Sequence, residues 1–399
     1  MRKTINIGDL GTIITGKTPP TTNKNYYGDY AVFIKPTDIS EQSKYTYETE
    51  EMYSKLAAEK YESSLIPKGA ICVPCIGTVG TKMTMAPCDC YTNQSINSII
   101  CNENYDNEYV YYLIKNFLPG LKAYNLGTAS GREYVSKSNF EKIELVAEQD
   151  KEIQKKIGII LSRYDSLIEN YQKQIKLLEE AAQRLYKEWF VDFRFPGHEN
   201  TTIIDGVPEG WEKKKVNSII ELQSGFAFKS STFDDNGAYK IVTIKNVKDG
   251  AFDGDNVSRI VAIPEKMPKH CVLADGDILL SLTGNVGRVC IVNGKNYLLN
   301  QRVAKLATDY KAFAYCLFRS RDMFIEVNNL ANGAAQQNVS PIRIGEMKIL
   351  LPNNELLQEF ESIARKSIAR IISLQSQHRL LTEARDRLLP KLMNGEIKV

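Results

Sequence analysis

No stretch of the 399-residue chain approaches the roughly 18 consecutive apolar residues a membrane-crossing helix needs, and Met1–Asn6 leads into no apolar signal core. A chain working in the cytoplasm, away from a membrane, is the expectation. Histidine is scarce. His198, His270 and His378 are dispersed, so a histidine-based active site is disfavoured. Excess charge is also missing: the net is +3, with −2 over residues 1–148 (15 Lys+Arg, 17 Asp+Glu) and +3 over 193–350 (20 and 17). A protein gripping nucleic acid by charge alone would be more basic, so basic groups for such a partner must be concentrated on one face or supplied by other subunits. Eight cysteines without an export signal point to free thiols in a reducing compartment. Cys72, Cys75, Cys88 and Cys90 faintly resemble a zinc ligand set. Cys72 and Cys75, however, are an odd step apart on a strand and face opposite sides, so small core residues are the better reading, with no metal in this chain.

What the chain does have is a duplication. Gln174–Leu185 aligns with Gln377–Leu388 at a displacement of 203, with seven identical side chains. The first copy carries an apolar seam, Ile157, Leu161, Tyr164, Ile168, Tyr171, Ile175, Leu178, Ala182, Leu185 and Trp189, in alternating steps of four and three. That heptad spacing keeps one helical face against a partner helix. Gly158 near its start costs about 1 kcal/mol against alanine. The second seam, Phe360, Ala364, Ser367, Ile371, Leu374, His378, Leu381, Arg385, Leu388 and Leu392, is weaker for its polar members. His378 is a candidate for fixing register, and Pro390 should end or kink the helix.

The remainder repeats as well. Pro67–Gly80 matches Ala274–Gly287 at 207, including a Gly-x-x-Gly in each, and Asn93-Gln94 matches Asn300-Gln301. Val32–Lys35 and Ile241–Lys245 read as equivalent strands. Tyr109–Asn116 and Phe313–Phe324 read as short helices, while Glu141–Val146 and Glu346–Leu351 read as closing strands. The order is domain (1–148), helix (149–192), linker and domain (193–350), helix and tail (351–399). The expected fold class is α+β: two similar mixed α/β domains and two long helices, each spanning about 60 Å at 1.5 Å per residue. Paired antiparallel as a coiled coil with a pseudo-twofold axis, the helices would hold two reading heads apart like a ruler.

Gly11–Thr18 fits a phosphate-binding P-loop pattern, the basis of an alternative reading as a nucleotide-dependent enzyme. That loop needs a helix directly after its lysine. Here Pro19-Pro20-Thr-Thr-Asn follows, poor helix material beyond a first turn, and Gln223–Lys229 in the second repeat lacks the pattern.

The motifs Leu185–His198 (Leu-Tyr-Lys-Glu-Trp-Phe-Val-Asp-Phe-Arg-Phe-Pro-Gly-His), Val207–Glu212 and Arg387–Ile397, with the paired Gly-x-x-Gly and Asn-Gln segments, resemble the specificity subunits of type I restriction–modification systems over nearly the whole chain. The resemblance implies a non-catalytic subunit that reads a bipartite, asymmetric double-stranded DNA site through two target-recognition domains. It also implies docking of two methyltransferase subunits and two restriction/translocase subunits. This chain would hold no cofactor: S-adenosylmethionine, ATP and Mg belong to the partners. An Asp/Asn-Pro-Pro-aromatic motif, needed for a flipped adenine, is absent, which disfavours a fused methylase. A scaffold with degenerate recognition domains is a further alternative.

Base edges need paired donors and acceptors, and phosphates need cations. Candidates in the first domain are Lys17, Lys35, Thr37, Thr78, Lys82, Gln94, Ser130 and Arg132. Those in the second are Lys229, Lys245, Asn246, Thr283, Asn285, Arg288, Gln301, Arg302, Gln336 and Gln337. The bland alternative is that Asn93, Gln94, Asn300 and Gln301 cap turns and the glycines only shape them. Trp189 and Phe190 have two open readings, methyltransferase docking or packing under the linker.

Overall fold

The structure, a computed structural model, describes residues 2–41, 43–127, 131–255, 257–331 and 337–399. Ser130 and Gln336 lie outside the described residues. The chain divides into two compact units, Met1–Asn170 with Leu380–Val399, and Tyr171–Arg379. Helices α1 (Lys55–Lys60), α2 (Asn107–Phe117) and α3 (Lys137–Glu141) belong to the first. Helix α4 (Lys151–Phe190) is shared. Helices α5 (Lys311–Arg319), α6 (Arg321–Asn329) and α7 (Pro341–Gly345) belong to the second, and α8 (Asn354–Asn394) is again shared.

The first unit is built on a four-stranded antiparallel sheet ordered Gly11–Thr15, Ile96–Cys101, Ile71–Pro74, Thr84–Met85. Ile71–Pro74 is buried throughout, as its unbroken apolar run dictates for a central strand. Cys72 and Cys75 belong to different core clusters, and burial pushes both thiols up to about 12. A second sheet orders Met52–Tyr53, Tyr27–Ile34, Tyr91–Thr92, with the last pair parallel. Arg2–Asn6 pairs antiparallel with Glu144–Glu148.

The second unit repeats this plan. Its sheet runs Glu221–Ser224, Val303–Ala307, Ile278–Ser281, Val289–Ile291, and its parallel pair is Tyr239–Val242 with Tyr297–Leu299. Its closing pair is Glu212–Lys215 with Lys348–Leu351. The single helix expected over Phe313–Phe324 is two helices, because the Ser320 hydroxyl accepts from the Met323 N–H at 3.3 Å and starts a new one. The expected linker contains a hairpin, Ile203–Ile204 with Val207–Pro208, turned by Asp205-Gly206, both at positive φ as a tight two-residue turn requires.

Within each unit α4 and α8 run antiparallel. In the second, Gln172 faces His378 at 3.0 Å between Nε2 atoms, and Trp189 meets Phe360 at 5.7 Å between ring centroids. In the first, Asp165 binds Arg385, and Ile157 and Leu161 share a core with Leu389 and Leu392. Ile157, Leu161, Ile168, Phe360, Ile371 and Leu374 are buried; Ile175, Leu178, Leu185, Leu381 and Leu388 are half-buried. Pro390 does not end α8, which continues to Asn394. Its missing N–H costs the one bond to the Asp386 carbonyl, and the helix runs on for four more residues. Trp189 and Phe190 are buried against Phe360, Phe313 and Trp211, so packing accounts for both.

The repeats solve one local problem differently. Helix α2 caps itself: Asp106 Oδ1 accepts from the Tyr109 N–H at 3.0 Å. Gly158 of α4 leaves room, since a Cβ there would lie 2.8 Å from the Glu108 side chain. Helix α5 has no side-chain cap of its own. Glu361, at displacement 203 from Gly158, instead accepts from the Ala312 and Phe313 N–H groups at 2.9 and 3.1 Å. Burial raises the Glu361 carboxyl above its ordinary range, and those two N–H groups oppose the shift.

Candidate nucleic-acid interface

The Asn-Gln segments sit where several strands end, and backbone hydrogen bonds tie them, their flanking residues and the neighbouring loops into one frame. In the first unit the Asn93 N–H donates to Ile34 O at 3.1 Å, Lys17 N–H to Thr92 O at 2.9 Å, and Cys75 N–H to Ser95 O at 2.7 Å. Gly77 N–H reaches Glu133 O at 2.9 Å. The second unit repeats all four: Asn300 to Val242 O at 3.1 Å, Phe226 to Leu299 O at 2.9 Å, Leu282 to Arg302 O at 3.0 Å, and Gly284 to Gln337 O at 2.9 Å. One rim of loops is thus built twice by the same backbone scheme.

Two glycines make that rim possible. A Cβ on Gly16 would lie 2.1 Å from Thr92 O, and one on Gly225 would lie 2.2 Å from Asn300 O, so only glycine lets these strands meet. Asn93 and Asn300 do cap their turns: Asn93 Oδ1 accepts from Ser95 N–H at 3.1 Å and Asn300 Oδ1 from Arg302 N–H at 3.3 Å. Capping turns the next side chains, Gln94 and Gln301, outward, and both are exposed.

The rim of the first unit gathers most of its candidates. Lys17, Thr37, Gln94 and Arg132 are exposed. Lys17 Nζ contacts Ser63 Oγ at 3.2 Å, and the Thr18 hydroxyl bonds Gln94. Lys82 is half-buried, as is Thr78, whose hydroxyl oxygen is shut off from solvent. Lys35 is half-buried between Glu50 at 2.7 Å and Glu51 at 3.1 Å. Burial works against its charge, but the two carboxylates prevail and raise its pKa.

In the second unit Lys229, Lys245, Asn285, Gln301, Arg302 and Gln337 are exposed, and Arg288 is half-buried. Two candidates are corrected. Asn246 is fully buried: its Oδ1 accepts from Thr243 N–H at 2.8 Å and its Nδ2 donates to Asp253 O at 2.9 Å. Asp38 closes the equivalent turn, accepting from Lys35 N–H at 2.8 Å. Asn246 therefore shapes the loop that presents Lys245 and has no free edge for a base. Thr283 is buried, and its hydroxyl is spent on Asn338 at 2.8 Å.

His270, one of the three dispersed histidines, is not among the interface candidates read from the sequence. Its Nε2 lies 2.8 Å from Ser224 O, beside Gly225, while Ser63 meets the Lys17 side chain beside the equivalent Gly16. Ser63 and His270 are 207 apart, so extending the repeat beyond its identical residues would have found the pair.

The phosphate-loop pattern fails on geometry. Gly11–Thr15 is a strand paired with Asn97–Cys101, and no helix directly follows Lys17. Its N–H groups serve the sheet rather than forming a cradle. Among the described residues no cluster of three or more His, Cys, Asp and Glu could hold a metal, and no helix is long and apolar enough to cross a membrane.

Comparison with known proteins agrees with this duplicated plan. The chain is 28% identical over 407 residues to the type I restriction enzyme MjaIX specificity subunit of Methanocaldococcus jannaschii, covering 98% of this chain and 93% of that protein. It is 31% identical to the MjaVIII specificity subunit of the same organism, over 75% of this chain and 72% of that one. Its fold matches the crystal structure of the type I restriction–modification S subunit from M. genitalium with a TM-score of 0.60, at 17% identity, covering 98% and 96% of the two chains. The family described as type I restriction modification DNA specificity domain matches residues 2–180 and 208–377, one copy for each repeat. With both repeats matched, this chain belongs to the family of DNA specificity subunits of type I restriction–modification systems.

Proposed function

We propose that each unit reads one half of a bipartite, asymmetric double-stranded DNA site, and that the chain docks two methyltransferase and two restriction/translocase subunits in the cytoplasm. The chain catalyses nothing itself. S-adenosylmethionine, ATP and Mg act on the partner subunits, and the exposed rim residues Lys17, Thr37, Gln94, Arg132, Lys229, Lys245, Asn285, Gln301, Arg302 and Gln337 face the DNA.

The observation that carries this reading is the rim itself. Two copies of one hydrogen-bonded loop frame present different exposed side chains, which suits two half-sites of different sequence. The test is to express the chain with its methyltransferase and sequence the methylated genome. The expected result is one adenine-methylated motif in two unequal parts separated by a fixed gap. A complex that forms but methylates no motif would overturn the reading in favour of a scaffold with degenerate domains.

A further inference from the structure

The two rims are the same frame with different charge. Because the hydrogen-bond scheme is shared, positions can be matched residue by residue. Ser95 and Arg302 both donate their N–H to the preceding asparagine's Oδ1, and both accept on their carbonyl, from Cys75 and Leu282 respectively. Thr37 and Lys245 each sit one residue before the side chain that closes their turn, Asp38 and Asn246. Thr81 and Arg288 each follow a glycine at positive φ, Gly80 at 71° and Gly287 at 84°. At all three places the first unit carries a hydroxyl and the second a cation.

The cations of the first rim do not restore the balance. Lys35 is held by Glu50 and Glu51, while among the described residues Lys17 and Lys82 are outside any ion pair and Arg132 is exposed; the counterparts of Lys17 and Lys82 are Phe226 and Val289. In the second unit Lys229, Lys245, Arg288 and Arg302 are all outside any ion pair among the described residues. The net charges of residues 1–148 and 193–350, −2 and +3, point the same way.

Resting on the reading that both rims face DNA, we infer that Lys245, Arg288 and Arg302 contact phosphates, and that the second unit anchors the duplex electrostatically. The first unit adds mainly neutral, direction-dependent hydrogen bonds through Thr37, Thr81, Gln94 and Ser95. Each neutralised phosphate contributes about −0.9 to the slope of log K against log salt on B-form DNA. Phosphate contacts position the protein without carrying sequence information. These three cations therefore govern affinity and salt dependence, and leave the motif alone.

The experiment uses the assembled complex with its methyltransferase and a duplex carrying the motif that it methylates. The variant Lys245→Thr/Arg288→Thr/Arg302→Ser writes the first rim's hydroxyls into the second. Between 50 and 200 mM salt (an interval over which several phosphate contacts change affinity by about 10³-fold or more), its slope should fall by about 2.7, with the methylated motif unchanged. The reverse graft, Thr37→Lys/Ser95→Arg, should raise the slope by about 1.8, and it decides the matter if the triple variant fails to assemble. A slope change below about 0.9 in either variant would overturn the inference, as would a triple variant that methylates a motif altered in one half. Wild-type complex methylating no motif would instead sink the functional reading on which the inference rests.

Discussion

Breaking the Asp165–Arg385 pair should destabilise the first unit more than any single change on its surface. Both side chains are buried, at 4% and 8% exposure, and Arg385 Nη1 lies 2.6 Å from Asp165 Oδ1. The other carboxylate oxygen accepts from the Tyr112 hydroxyl at 2.5 Å. Arg385→Met strands the carboxylate without its cation, for which a cost of about 3–5 kcal/mol is usual. That is a large share of the roughly 5–15 kcal/mol that holds a domain folded. The molecule also contains its own control. At displacement 203 the second unit has Ile368 and Ala182 in place of Asp165 and Arg385, both buried in its apolar core. Asp165→Ile/Arg385→Ala, with Tyr112→Phe to avoid an orphaned hydroxyl, should therefore return to within about 1–2 kcal/mol of wild type, because well-packed apolar replacements of buried ion pairs are often neutral or better. Urea unfolding followed by circular dichroism measures both variants. Trp189 and Trp211 lie in the second unit, so their fluorescence monitors whether damage stays in the first. A loss below about 1 kcal/mol for Arg385→Met, or a triple variant as unstable as the single one, would refute the reasoning, since the penalty is assigned to the uncompensated charge.

Two further outcomes follow from particular contacts. Glu361 has a carboxyl raised by burial, so the folded state binds its proton more tightly than the unfolded state does. The stability it lends is full below the ordinary glutamate range and is lost as pH rises through the folded-state value. Glu361→Gln should flatten that dependence between pH 4 and 7 in unfolding titrations, whereas an unchanged slope would show that Glu361 is not its source. Asn246→Ala leaves Thr243 N–H and Asp253 O without their partner and should cost about 1–3 kcal/mol. Lys245→Ala beside it should stay within about 0.5 kcal/mol; equal losses would contradict the assignment of Asn246 to the loop frame.

The sequence by itself determined the duplication, the two helices and their apolar seams, because apolar residues at steps of four and three can satisfy only a helix lying on another helix. It also placed the rim, since Gly-x-x-Gly and Asn-Gln mark backbone positions whose conformations few other residues adopt. Which rim side chains are free was decided only by the tertiary structure. Asn246 and Lys245 are neighbours in sequence, yet one closes a turn and the other projects to solvent, and Lys35 loses its freedom to Glu50 and Glu51, 15 and 16 residues away. Exposure and ion pairing belong to the packed chain, and no local pattern encodes them. The same holds for Glu361 capping α5 and for Asp165 meeting Arg385. A helical seam records that a face is covered; only the fold shows which polar groups beneath the cover have found each other.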